Sequence, residues 1–424
     1  MKENEADGDV TRSEALESVA DSPETTRDTG FSTVAQHARG ESNRGSTRRS
    51  VLKKSGVGAF ALGTLTEKLG FSSFDAPTRI VATRSGLDSA PEVTKKVPRK
   101  WLEHQRAVRR VTDRLRAAWE NAPFVGSVAY APTDRMEGGV YYCQPEISVR
   151  PDATAAQVAS LPESVANAGV EVPNELRVSD IAVRRMNGEF ALADVDCYDE
   201  VTDSPFPGGL KIKTATSGFY QMGTAGFMVY DDTAEYLYTA NHVLMDDCDC
   251  CVADSRAYAD DDTDLGYVAD GHKNHDWCVV ERTDGGYGNT VQYEEDEIEL
   301  HGWVTENGID SLQGVTDAIR QQGVISGYQT GTLKGDFASF ADFNCVSMLG
   351  NAVKLGFPDY AREGDSGGPY WWPNADGNWA ITVHTGFEVG DGTYSGCGHS
   401  GKKGNPAYGY PVWRVFNNTN YAIS

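Results

Sequence analysis

Two textures of apolar and polar residues divide the chain. In "WLEHQRAVRRVTDRLRAAWENA" (101–122), Trp101, Val108, Val111, Leu115 and Ala118 recur at helical spacing, and Pro123 ends the run. An amphipathic helix is expected there. "FVGSVAY", "GGVYYCQPEISV" and "FALADVDCY" alternate as strands do, with "TAAQVASLPESVANAG" predicting a second helix between them. Residues 99–203 therefore read as a small α+β module. They hold no grouping of acid, His and Ser that suggests chemistry, and a propeptide or folding domain is the expectation.

From about residue 204 the pattern changes. "GFYQMG", "TAGFMVY", "EYLYTA", "DWCVVE", "IELHGWV", "GYQTGTL", "SFADFNC" and "WAITVHTGF" are short alternating runs punctuated by Gly, and strong helix patterns are almost absent. Many short strands at regular spacing predict an all-β sandwich or paired barrels over 204–424.

Ahead of both, residues 1–70 are a polar leader and 71–98 a linker ending in "KKVPRK". Within the leader, "STRRSVLKKSGVGAFALGTL" sets Arg48-Arg49 before a Gly- and Ala-rich apolar stretch from about 55 to 65. It resembles a twin-arginine signal, an address read by a receptor and not an anchor. The twin-arginine export machinery is thus an expected partner and a secreted location follows. No run approaches the roughly 18 apolar residues of a membrane span, so no membrane anchor is expected.

Composition adds two constraints. The 424 residues are 39% hydrophobic and 10% aromatic, enough for packed cores. The formal charge of −24 is uneven: residues 204–424 carry 31 Asp and Glu against 12 Lys and Arg. That acidity repels phosphate and argues against a nucleic-acid partner, and it fits a surface kept soluble in high salt, a halophilic trait. "DDDTD" (260–264) and "EEDEIE" (294–299) are read as solvated surface, not calcium loops, and no cofactor or metal is expected. Of eight cysteines, three crowd into "CDCC" (248–251) with no second paired half for zinc. One or two disulfides of undeducible connectivity are expected in an exported chain.

The chemistry centres on "YAREGDSGGPYWW". Its "GDSGG" fits a protease nucleophile or the G-x-S-x-G elbow of an α/β-hydrolase esterase. Nucleophilic serine catalysis needs an exposed Ser, a base, an acid orienting the base, and N–H groups facing the developing oxyanion. His242 in "YTANHVL" and Asp276 in "NHDWCVVE" are the candidate base and acid, with Asp270 a weaker rival because no apolar strand follows it directly. The order His242, Asp276, Ser366 opposes the hydrolase order. The "PYWWPNADGNW" after Ser366 also forbids the helix an elbow requires.

These motifs, with "FPGGLKI" and "GTAGFMV…YLYTANHVL", make residues 205–420 resemble a trypsin/chymotrypsin-like serine protease of the small secreted bacterial kind. The resemblance implies two six-stranded antiparallel β-barrels with a triad between them. It implies Ser366 as nucleophile, His242 as general base then acid, and Asp276 fixing the His242 tautomer. The N–H groups of Gly364 and Ser366 would form the oxyanion hole. Val243 follows His242 where the family often has Cys, Cys278 stands where Ala is usual, and no Cys precedes the nucleophile closely.

The string "VHTG" is similar to a mark of glutamyl endopeptidases in this family. On that resemblance His384, Thr385 and Gly386 would bind an acidic side chain before the scissile bond. Against it stands an apolar pocket shaped by Phe387 and Tyr394. The expected protein is a monomeric secreted serine endopeptidase acting on proteins or peptides and processed near "DEVTDSPFP" (199–207). An inactive protease-like binding module is the competing class.

Overall fold

The computed structural model describes residues 77–423 apart from short gaps, the longest at 193–204, 246–254 and 339–350. The twin-arginine motif and Cys197, Cys248, Cys250, Cys251, Cys345 and Cys397 lie outside the described residues. Cys143 and Cys278 are both buried free thiols, so the expected disulfides do not involve them.

The chain opens with β1 (Pro77–Val81), β2 (Thr83–Arg84) and β3 (Thr94–Pro98), then α1 (Arg99–Trp119), β4 (Val125–Glu137) and β5 (Val140–Val149). Next come α2 (Ala155–Ala159), β6 (Ala182–Arg185) and β7 (Phe190–Leu192). The α1 stripe of Val108, Val111 and Leu115 packs on Val125, Val128, Ile147 and Val149, as the helical spacing requires. Two expectations change. The helix expected over 154–169 stops after five residues, because Leu161-Pro162 denies the next turn its geometry. The segment expected as linker carries three strands, of which β2 pairs with β17, a strand of the C-terminal region (below).

After β8 (Phe206–Gly208), which lies outside its sheet, the first barrel follows: β9 (Lys211–Ala215), β10 (Tyr220–Thr224), β11 (Phe227–Tyr230), β12 (Glu235–Thr239), β13 (Arg256–Ala259), β14 (Asp264–His272) and β15 (Trp277–Glu281). Its sheet runs β10-β9-β13-β14-β15-β12-β11. The two ends of that path are consecutive in the chain, parted only by Ala225 and Gly226, so the sheet curls back on itself with β10 and β11 as one broken strand. Six strands remain around the ring.

The second barrel is built from β16 (Tyr287–Tyr293), β17 (Asp296–Val304), α3 (Glu306–Leu312), β18 (Ile319–Gly323), β19 (Gly327–Ala338), β20 (Ala352–Gly356), β21 (Ala361–Arg362), β22 (Pro369–Asn374), β23 (Gly377–Val383), β24 (Gly386–Gly396) and β25 (His399–Gly409), with α4 (Val412–Asn418) closing the chain. From β24 the sheet runs through β25, β20, β19, β18 and β22 to β23. β23 and β24 are parted by His384 and Thr385 alone, so this sheet also closes at a broken strand and again leaves six. The fold is all-β with two six-stranded antiparallel barrels.

Alternation divides the side chains between two cores. Leu237 and Val280 face into the first barrel with Ile212 and Leu265. Their neighbours Tyr236, Tyr238, Trp277 and Val279 face a larger core shared with Leu333, Leu355, Tyr370 and Ile381 of the second. Three of the four acids of "DDDTD" are ion-paired: Asp260 with Lys211, Asp262 with Lys213 and Asp264 with Arg256.

Candidate active site

The two broken strands meet. A Cβ on Gly226 would touch Val383 and the Gly367 carbonyl, so only glycine lets the first break approach the second barrel here. His242, Asp276 and Ser366 converge at this junction.

β12 pairs with β15 in a register that puts Thr239 opposite Cys278. The chain therefore leaves β12 beside the start of β15, and His242, in the single turn Asn241–Leu244, lands next to Asp276. Asp276 is held in the left-handed region (φ 53°), which Asp tolerates better than most residues. Its Oδ1 accepts the His242 backbone N–H at 2.9 Å, and Oδ2 lies 2.8 Å from His242 Nδ1. With Nδ1–H donated to the carboxylate, Nε2 is an acceptor, and it lies 2.7 Å from Ser366 Oγ. All three residues are buried.

Ser366 sits between β21 and β22 in a turn that two positive-φ glycines permit, Gly364 (98°) and Gly367 (85°). Any side chain at Gly367 would strike the Thr224 carbonyl and Thr239 Oγ1. The turn is fastened from both barrels. Thr224 N–H donates to the Ser366 carbonyl at 2.6 Å, and Thr224 Oγ1 donates to the Gly364 carbonyl at 2.9 Å. Asp365 is wholly buried and accepts from the N–H groups of Ile325 (3.2 Å), Ser326 (2.9 Å) and Arg362 (2.8 Å). Burial pushes its carboxyl above the ordinary range, while those donors oppose the shift.

His384 and Thr385 form the break between β23 and β24. His384 exchanges backbone bonds with Gly368 and Gly367, each 2.8 Å, so it is tied to the nucleophile turn. Its side chain is fully buried with Nδ1 2.6 Å from the Tyr370 hydroxyl. Among the described residues His384 Nε2 and Thr385 Oγ1 are buried without a hydrogen-bond partner. Burial first, and then His242, pull the His384 imidazole down to about 3, so it is neutral at pH 7. Tyr370 is pushed well above the usual phenol range by burial and keeps its proton. Gly386 begins β24, opposite Tyr408 and Leu192.

The neighbouring titratable side chains have partners of their own. Asp270 is exposed and 3.3 Å from the Tyr421 hydroxyl, so it is not the acid beside His242. His272 and His275 stack on one another at 4.0 Å, and His275 stacks on Tyr410 at 4.3 Å. Phe387 is buried 6.2 Å from the His384 ring, and the Tyr394 side chain lies outside the described residues. Tyr370, Asp365 and Thr224 were not singled out by the sequence. A hydroxyl four residues after the nucleophile, in an otherwise apolar strand, was the one available signal for Tyr370.

No family model and no curated protein matches the chain. Solved structures are similar over about half of the chain. A "glutamic acid specific serine protease" described as utilising a novel histidine triad in substrate binding is 20% identical and covers 51% of this chain and 99% of its own, with a TM-score of 0.37. Thermobifida fusca Protease A is 17% identical, with 52% and 99% covered and a TM-score of 0.36. An alpha-lytic protease homolog, N4, is 16% identical with the same coverages and a TM-score of 0.34. With scores this low, the reading of the site stands on its own distances and burial.

Proposed function

We propose that this chain is a serine endopeptidase working through Ser366, His242 and Asp276. The unbroken line Asp276 Oδ2–His242 Nδ1, His242 Nε2–Ser366 Oγ, at 2.8 and 2.7 Å, carries the reading. Ser366 Oγ attacks the scissile carbonyl as His242 Nε2 takes its proton, and Asp276 stabilises the imidazolium. Nε2 then protonates the leaving amine. Water repeats the cycle on the acyl-enzyme. The N–H groups of Gly364 and Ser366, on the turn that Asp365 and Thr224 fasten, serve the oxyanion; losing one such donor typically costs about 3 kcal/mol.

The substrate is a peptide with an acidic side chain before the scissile bond. Two buried polar atoms on consecutive residues, His384 Nε2 and Thr385 Oγ1, have no partner among the described residues, which supports this, because buried polar groups are ordinarily satisfied. With Tyr370 O–H donating to Nδ1, the neutral imidazole carries its hydrogen on Nε2 and offers it, with the Thr385 hydroxyl, to a carboxylate. Ser366 is completely buried in the uncut chain, which supports a zymogen processed near residues 199–207. Export through the twin-arginine motif, function as a monomer and tolerance of high salt belong to the same reading.

Digesting a peptide library with the secreted protein and its Ser366→Ala variant tests the whole. Cleavage after Glu in the wild type alone is expected. Proteolysis that survives the substitution sinks the central claim, and cleavage after Phe, Leu or Arg unchanged in His384→Ala sinks the specificity. Ester hydrolysis without peptide cleavage would point to an esterase.

A further inference from the structure

We infer that residues 77–192 are not discarded when the linker is cut, but stay docked, so that the working protein is a pair of fragments. Only the position of the cut rests on the proposed self-processing. The docking is argued from the contacts of the segment itself.

Its N-terminal end is built into the second barrel. β2 pairs with β17, Thr83 opposite Val304 and Arg84 opposite Trp303, and Ala82 and Thr83 are fully buried. Thr305 N–H donates to the Ala82 carbonyl at 2.9 Å, and its hydroxyl to the Val81 carbonyl at 2.6 Å. The barrel is shaped to receive this strap. A Cβ at Gly302, whose φ is 148°, would overlap the Arg84 carbonyl, and one at Gly308 the Ala82 carbonyl. Two positions thus need glycine because the strap's backbone lies against them.

The α+β part is held by buried charge. Arg184 on β6 makes a forked pair with Glu388 on β24, a carboxylate with 0% exposure whose other bond comes from the Tyr408 hydroxyl. Lys354 on β20 meets Glu146 on β5 at 2.6 Å. Arg109 on α1 pairs with Asp310 and Glu306 of α3, and Tyr130 donates to Asp310 at 2.6 Å. Phe337 of β19 sits in the apolar core of the 99–192 region. Departure would strip Glu388, Lys354 and Asp310 of their countercharges and open that core. A cut after Leu192 frees one end of the segment, and the strap still fixes the other. What the cut loosens is β7, whose three residues pair with Gly386–Glu388 just beyond His384.

The test uses the full chain carrying Ser366→Ala, with residues 196–201 replaced by the recognition sequence of an unrelated protease, so that catalysis plays no part. After cutting, the fragments should co-elute from a sizing column in dilute solution, in low and in molar salt, and part only in denaturant. Free N-terminal fragment under native conditions overturns the inference, whether or not the remainder stays folded. In the same cut chain, Arg109→Ala with Arg184→Ala should raise the dissociation rate about thirty-fold or more. Dissociation no faster than from the unsubstituted interface would also overturn it.

Discussion

Within a few residues of the nucleophile lie two clusters of buried polar groups treated in opposite ways. In the His242 cluster every ring nitrogen has a partner, and even the turn beneath Ser366 is pinned by Asp365 and Thr224. In the His384 cluster one ring nitrogen is held by Tyr370, while the other and the Thr385 hydroxyl have no partner among the described residues. A satisfied buried group is positioned and costs little. An unsatisfied one costs roughly 1–3 kcal/mol until something fills it. On the proposed function, the first cluster is machinery finished before substrate arrives, and the second is a socket that substrate would complete.

The largest break in this contrast is Ser366→Ala, which should lower kcat on peptides by about 10⁴-fold or more with the fold intact by circular dichroism. Asp276→Asn should follow at about 10⁴-fold, since the amide favours the wrong His242 tautomer without removing the side chain. His384→Ala strikes the socket. Its kcat/KM for Glu-containing peptides should fall about 100-fold while the matching Gln peptides change little, compared pairwise in steady-state assays. Tyr370→Phe is gentler, about tenfold on Glu peptides and carried mainly in KM, because one hydrogen bond orienting His384 is lost.

The smallest effect is on stability against pH. His384 falls from its ordinary 6.5 to about 3 on folding, so below pH 6.5 the unfolded chain takes up a proton that the folded chain refuses. The neutral buried ring's contribution is present above 6.5 and is lost as pH falls toward 3. Thermal melts of His384→Gln should therefore show a shallower loss of Tm across that interval than the wild type. An identical slope would mean that His384 is not buried neutral.

The convergence of His242, Asp276 and Ser366 was legible because each sits beside a short apolar strand, and local pattern suffices to find such residues. Alternation alone left a sandwich and paired barrels both open, and the resemblance carried by the motifs chose the barrels. The strap was not legible: "PTRIV" and "TKKVP" are short and half-polar, and nothing local announces that β2 will pair with a strand some 220 residues on. The second helix was over-read because apolar spacing continued past Pro162. Tyr370 and the donors to Asp365 are ordinary strand and loop residues whose roles exist only once the strands close.

Three backbone bonds outside both clusters hold the fold together at a distance. Gly86 N–H donates to the Ile423 carbonyl at 2.9 Å, and Tyr230 exchanges bonds with Ala422. The chain just after β2 and the end of β11 are thus both held by residues 422 and 423. The second barrel can shut over its strap only with residues 422 and 423 in place, and a chain lacking those contacts is more exposed to misassembly. A truncation of the final four residues should leave a chain that collapses but refolds slowly, a defect read in kinetics and not at the active site.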